Sequence, residues 1–205
     1  MTDLSICVIT PTIGRPTLRR TLESAKLGPL DNWEVITDGP EIYKKVKPDI
    51  LDLLNSRRYL HYSTTFRVMG HYGNRLRDTR MSITENDYFV FLDDDDVFAP
   101  GAIEIIKEAI AQHHPRPIIF KMRNGNGETL WKNREVTPGN VGGSMFVCPN
   151  DPDKLGKWDN GQGHRSDIEF IRQTLENYGP GWRQDIVWSD EVIIHCRPDK
   201  DKFDE

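Results

Sequence analysis

Four consecutive carboxylates, Asp93 to Asp96, follow directly on the apolar run Tyr88-Phe89-Val90-Phe91-Leu92. The run reads as a buried strand, and four charges cannot enter a core, so the chain must leave the sheet at this point and open into a cleft or into solvent. Carboxylates packed side by side repel one another, and proton uptake or a bridging cation relieves the repulsion. Oxygen-rich sites of this kind suit hard divalent ions such as Mg2+ or Mn2+. At the carboxyl end of a strand in an α/β sheet, a metal usually serves a phosphate-bearing ligand. Taken alone, the run also fits a solvated acidic turn that caps the next helix.

The rest of the chain supplies the α/β context. Leu4 to Thr10 reads as a first buried strand, and Gly14-Arg15-Pro16 opens a helix with Leu18, Leu22 and Ala25 on its inner face. A second strand, Glu34 to Thr37, ends at the turn signal Asp38-Gly39-Pro40, and this β, α, β order implies a parallel pair with a right-handed crossover. A helix between Ile42 and Leu54 is interrupted at Pro48, a short strand is expected over Arg58 to Ser63, and a helix over Tyr72 to Thr84 leads into the acidic strand. Beyond Pro100, Ala102, Ile105, Ile106, Ala109 and Ile110 recur at helical spacing.

Antiparallel structure enters in the second half. Pro117 to Met122 and Thr129 to Lys132 flank Asn124-Gly125-Asn126-Gly127, a hairpin signal, and Gly142-Gly143 leads into a strand over Ser144 to Cys148. The Gly, Asn and Asp-rich stretch from Pro149 to His164 reads as a mobile loop, a candidate lid. Ser166 and Glu169 spell a capping box for a helix with Ile168, Ile171, Leu175 and Tyr178 along one side. Asp185 to Trp188 and Val192 to Cys196 are expected as closing strands, and the charged tail 197–205 as disordered.

Composition narrows the classes of function. With 205 residues, 37% hydrophobic and 29% charged, the chain suits one soluble α/β domain. No apolar stretch is long enough to span a bilayer, and Met1-Thr2-Asp3 opens no signal-like segment. Cys7, Cys148 and Cys196 lie far apart without metal-ligand spacing and read as reduced thiols. These features give a cytoplasmic expectation, with a peripheral place at a membrane left open. A net charge of −5 argues against a broad nucleic-acid surface, although a local basic groove would remain compatible with it.

A strand ending in Thr10-Pro11-Thr12, a second ending in Thr37-Asp38-Gly39 and the mid-chain Phe91-Leu92-Asp93-Asp94-Asp95-Asp96 together resemble the family-two inverting glycosyltransferases of the GT-A fold. Leu76-Arg77-Asp78 stands where that family often has Ala-Arg-Asn, and Gly142-Gly143-Ser144-Met145-Phe146 resembles its glycine loop and acceptor-side strand. Ser166-Asp167 resembles the acidic motif that supplies the base, without the usual preceding glutamate, and Ile194-His195 resembles the late metal-binding histidine. The resemblance implies a Rossmann-like three-layer α/β sandwich with a mixed, mainly parallel sheet and a small antiparallel C-terminal part. It divides one domain, 1–196, into a nucleotide-sugar half (1–98) and an acceptor half (99–196). The implied activity is metal-dependent transfer from a nucleotide diphosphate sugar, a UDP-sugar favoured, to an acceptor hydroxyl of a glycan, lipid, protein or modified nucleobase.

Residue roles follow from the same resemblance. Asp95 and His195 would hold Mn2+ or Mg2+, Asp93 would complete the Asp-x-Asp motif, Asp94 would lie near the ribose, and Asp96 would serve as a cap. Thr10, Pro11, Thr12 and Arg15 lie in the first strand-to-helix loop, where hydroxyls, a guanidinium and backbone N–H groups can meet a nucleotide. Asp38 is placed to accept from a nucleobase N–H, and Arg77 to contact the nucleotide or its diphosphate. Arg75 and Arg80 are expected in solvent or paired with Asp78 and Glu85. Gly142, Gly143 and Trp158 would line the acceptor side, Trp158 as a sugar-stacking surface. Asp167, in the first turn of its helix where the macrodipole favours ionisation, would be the general base. Asp159 and His164 compete for that role.

Two other readings fit the same aspartates. Asp93-Asp94-Asp95-Asp96-Val97 also spells the Asp-x-Asp-x-Val of haloacid-dehalogenase-like phosphatases, with Asp93 as nucleophile, although that motif normally opens a chain. A non-enzymatic metal-binding module is the other, and no glycine falls where an EF-hand loop requires one.

Overall fold

The computed structural model describes residues 4–46, 48–182 and 186–198. Its centre is a mixed sheet of nine strands in the order β3-β2-β1-β4-β8-β6-β9-β5, with β7 paired to β6. β1 (Ile6–Thr12), β2 (Asn32–Thr37), β3 (Leu60–Thr64) and β4 (Tyr88–Phe91) are mutually parallel. Every residue of β1 and β4 is buried, as strands covered on both faces must be. Pro11 lies inside β1, but pairing with β4 ends at Ile9 opposite Phe91, so the proline occupies a stretch with an open side, where a missing N–H is tolerated.

Helices join these strands. α1 (Leu18–Glu23) buries Leu18 and Leu22, while Ala25 lies past its end, half-buried against the core. The interruption expected at Pro48 divides α2 (Pro40–Lys45) from α3 (Pro48–Ser56). α4 (Asn74–Met81) is shorter than the pattern suggests, because the segment before it, Gly70 to Gly73, has φ of 67°, 58°, 55° and 78°, which no α-helix allows. The cluster Asp93 to Asp96 lies between β4 and the two-residue β5 (Val97–Phe98), and α5 (Ala102–His113) then buries Ala102, Ile103, Ile106 and Ile110.

β6 (Ile118–Asn124) and β7 (Thr129–Leu130) form the expected hairpin, and β8 (Phe146–Pro149) lies antiparallel between β4 and β6. α6 (Ser166–Glu176) buries Ile168, Phe170, Ile171 and Leu175. Its N-cap is Arg165, without a side-chain cap bond, so the Ser166/Glu169 capping box does not form. The two closing strands are one long strand, β9 (Val187–Cys196); Asp185 lies outside the described residues. Of the tail, Arg197 and Pro198 are described, with the Arg197 N–H bonded to Asp96, and 199–205 lie outside the described residues.

Cys7, Cys148 and Cys196 are free thiols, with burial pushing Cys7 up to about 12. Among the described residues no helix is long and apolar enough to cross a membrane.

Candidate active site

The carboxyl ends of β1, β2 and β4 open onto a cleft of about 590 Å³, within the range of small-molecule sites. Pro11, Thr12, Arg15, Asp38, Arg77, Asp93, Asp94 and Asp95 line it, together with Tyr72 and Arg197. A smaller inner cavity of about 160 Å³ lies alongside, lined by Asn74, Gly143, Ser144, Trp158 and Asp167 among others. Tyr72, Arg77 and Asp93 face both spaces. Arg77 and the sequence-distant Trp158 and Asp167 therefore meet at one boundary.

The four aspartates are not equivalent. Asp93, Asp95 and Asp96 bring one carboxylate oxygen each within 4.8 Å of the others, a set able to hold a hard cation. Asp96, expected as a mere cap, belongs to this set: burial, then the Asp93 and Asp95 charges, push its carboxyl up to about 7. Asp94 turns away from it. Its carboxylate accepts from the Thr12 hydroxyl at 2.6 Å and the Ile13 N–H at 3.3 Å, pairs with Arg15, and is 1% exposed. The Thr17 hydroxyl donates to the Asp94 carbonyl at 2.8 Å, so Asp94 fixes the loop after β1 rather than offering itself to a ribose.

Thr10 also leaves the site. It is fully buried, and its hydroxyl accepts from the Trp33 indole N–H at 2.9 Å. His195 is not among the donors gathered at the cluster. Cys196 bonds the Asp96 carboxyl, and successive side chains of a strand point to opposite faces, so His195 faces away. In its place the next residue reaches the cluster: Arg197 donates its backbone N–H to Asp96 at 3.1 Å and its Nε to Asp95 at 3.0 Å.

α4 holds the boundary between the two spaces. Arg77, 6% exposed, pairs with Asp93, donates to the Tyr72 carbonyl at 3.2 Å and Asn74 Oδ1 at 3.3 Å, and lies 4.6 Å over the Trp158 ring. Asp78 accepts from the backbone N–H groups of Trp158 and Asp159, both at 2.9 Å. Arg75 pairs with Asp159 at 2.7 Å, opposite His71 at 2.8 Å, while Arg80 bonds Ser63 and lies 3.5 Å from Glu34. Neither arginine pairs with Asp78 or Glu85, the partners expected if they were not in solvent.

These bonds overturn the reading of 149–164 as a free lid, since its 156–160 portion is fastened to α4 and to α6. Trp158 is 3% exposed, stacked on Phe170 at 4.6 Å and edge-on to Phe91 at 4.8 Å; it walls the inner cavity rather than standing in a loop as a sugar platform. Asp159 is committed to Arg75 and His71, and the Arg75 bond foremost holds its carboxyl below the usual range, a poor environment for a base. The side chain of His164 lies outside the described residues.

Of the proposed bases whose side chains are described, Asp167 lines the inner cavity and Asp159 does not. One Asp167 oxygen accepts from the Ile168 N–H at 2.8 Å, and the other lies beside Gly142. Burial pushes its carboxyl above the ordinary aspartate range, against the lowering effect of the Ile168 and Gly143 N–H groups, with Asp93 adding to the rise. The helix terminus therefore loses to burial, and the outcome is a stronger base than the sequence suggests. Gly143 makes this packing feasible: a Cβ there would stand 2.4 Å from Trp158 Cη2.

An α/β sheet with parallel β3-β2-β1-β4 order, an acidic cluster after β4 and an antiparallel C-terminal flank defines a GT-A glycosyltransferase fold. The profile of Glycosyl transferase family 2 matches residues 7–157, and the chain belongs to that family. Comparison with curated proteins returns no match. Among solved structures, S. aureus TarS superposes with a TM-score of 0.72 at 15% identity, over 94% of this chain and 36% of that one. S. aureus TarS 1-349 gives 0.73 at 17% identity, over 94% and 60%, and its complex with UDP gives 0.69 at 18% identity over the same shares. A further TarS 1-349 structure is in complex with UDP-GlcNAc, with a TM-score of 0.66 at 15% identity, over 94% and 58%. The chain thus spans about a third to three fifths of these neighbours. Family membership removes the ground of the phosphatase reading, whose nucleophile follows a first strand, whereas Asp93 follows the fourth.

Proposed function

We propose that the chain transfers a sugar from a nucleotide diphosphate sugar to an acceptor hydroxyl with inversion at the anomeric carbon. The observation that carries this reading is the shared wall of Tyr72, Arg77 and Asp93 between the wide cleft and the inner cavity: a donor filling the first would present its sugar to the second, where Asp167 waits. Asp167 would take the acceptor proton as the oxygen attacks, and the bond to the diphosphate would break on the opposite face. The residues fit a divalent cation, Mn2+ or Mg2+, through Asp93, Asp95 and Asp96, where burial and then the neighbouring carboxylates raise Asp96. When bound, such an ion neutralises charge developing on the leaving diphosphate.

A uridine nucleotide is the favoured donor. Asp38 accepts from the Met69 N–H at 2.5 Å and the Gly70 N–H at 2.8 Å, yet a carboxylate has about four acceptor positions and Asp38 still lines the cleft, so it can also take a nucleobase N–H. The neighbours bound to UDP and UDP-GlcNAc support the same choice. The donor half, 1–98, and the acceptor half, 99–196, would then be parts of one domain meeting at Tyr72 and Asp167.

The test is nucleotide release from a panel of sugar nucleotides with Mn2+ and with chelator, repeated for Asp95→Ala and Asp167→Asn. Metal-dependent release by the native chain, loss of donor binding in the first variant and normal donor binding without transfer in the second are expected. No release from any donor would sink the reading.

A further inference from the structure

Three guanidinium groups line the wide cleft, and they are held very differently. Arg77 is buried, bonded to a carbonyl, an amide and Asp93, and covered by Trp158. Arg15 is paired with Asp94, which lies outside the gathered carboxylates. Arg197 is different again: its side chain is 51% exposed and makes one ion pair, with Asp95, which belongs to the cluster.

The backbone is shaped to deliver this contact. Arg197 has φ of 42°, a left-handed conformation uncommon outside glycine, and in it the N–H points at Asp96 while the side chain folds onto Asp95. The hairpin turn after β6 presses on the same residue, since a Cβ at Gly125 would lie 2.5 Å from the Arg197 carbonyl oxygen. A costly backbone conformation kept at the rim of a charged cleft directs attention to what the side chain does there.

We propose that Arg197 is an exchangeable counter-ion: it neutralises Asp95 while the site is empty of metal, gives the carboxylate up to the incoming divalent cation, and turns its guanidinium to the diphosphate of the donor. This inference rests on the proposed metal-assisted transfer. A half-exposed single ion pair holds its partners weakly, so a cation bridging three carboxylates displaces it, whereas Arg77 has too many bonds to leave. Once freed, the planar fork of an arginine matches two phosphate oxygens, and the same cleft holds both groups. Arg197 is thereby a positioning residue with opposite effects on the two ligands.

The experiment titrates Mn2+ into the full chain without nucleotide, then UDP at saturating Mn2+, for the native protein, Arg197→Gln and Arg197→Lys. Arg197→Gln is expected to bind Mn2+ about threefold to fivefold more tightly, the scale of losing one exposed ion pair. The same variant should bind UDP about tenfold more weakly in the presence of Mn2+. Arg197→Lys keeps a point charge without the fork, so it should stay near the native Mn2+ affinity and fall between the two for UDP. Equal or weaker Mn2+ binding by Arg197→Gln overturns the exchange, and an unchanged UDP affinity overturns the handover. If neither chain binds Mn2+ while UDP still binds, the metal reading itself fails and takes this inference with it.

Discussion

At the scale of single residues, the proposed chemistry turns on how burial and neighbours divide like groups into unlike roles. Asp167 and Asp159 are both aspartates near the inner cavity, but burial raises the first and ion pairing lowers the second. A base must be ionised before it can accept, so transfer should rise with pH through the Asp167 pKa, and its acid limb should lie above the ordinary carboxylate range. A pH profile of kcat measured at saturating donor checks this; a limb at or below the usual aspartate value would contradict it. Gly143 is the second residue to test, because a methyl there must displace the Trp158 ring that also carries Arg77. Gly143→Ala should cost about 1–3 kcal/mol of stability, read by denaturant melts, and lower transfer by disturbing the wall beside Asp167. An alanine variant with native stability and native turnover would show that the wall yields freely.

At the scale of elements, α4 does more than its sequence announces. Leu76-Arg77-Asp78 carries the resemblance to the family triplet, and Arg77 indeed faces both cavities, but Asp78 and Arg75 bind the 156–160 segment, a long-range role no local pattern reveals. Removing the Asp78 carboxylate leaves two buried-side N–H groups without their acceptor, each worth about 1.5–3 kcal/mol as a bond to a charge. Asp78→Ala should therefore speed amide hydrogen exchange at Trp158 and Asp159 by more than tenfold while β1 and β4 keep their protection. Uniform loss of protection across the sheet would instead mean that α4 anchors the whole fold. What sequence could locate were the strand ends, because an apolar run that stops at Asp38 or Asp93 marks a sheet edge without further help. What it could not locate was side-chain direction in β9. Opposite β6, that strand carries extra residues between Trp188 and Ile194, so alternation counted from Trp188 no longer tells which of His195 and Cys196 faces the aspartates. The loop at 149–164 misled for a related reason: glycines and polar residues signal irregular backbone, and an irregular backbone fastened by Asp78 looks the same in sequence as a free one.

At the scale of the whole molecule, the sheet order explains why two distant halves of the chain must share one site. β1, β2 and β4 end together because they are parallel neighbours, while β8 and β9 bring Gly143, the segment before α6 and Arg197 to the same edge from the other side. Asp93, Asp95 and Asp96 hold carboxylate oxygens within 4.8 Å of one another, and burial with the Asp93 and Asp95 charges raises Asp96 to about 7, so ligands that supply positive charge should stabilise the fold as a unit. A ligand present at a hundred times its Kd adds about 2.7 kcal/mol to the folded state. For a chain of this size each kcal/mol moves the melting point by roughly 2–4 °C, giving a shift of roughly 5–10 °C. Mn2+ and UDP together should exceed the sum of their separate shifts, because the cation answers the carboxylates on one side and the diphosphate on the other, and each therefore raises the affinity of the other. Asp95→Ala should abolish both the Mn2+ shift and the excess while leaving the melting point of the unliganded protein unchanged or higher, since one repulsive charge is gone. Strictly additive shifts in the native chain would place the two ligands apart, and would separate the acidic cluster from the cleft that the sheet builds around it.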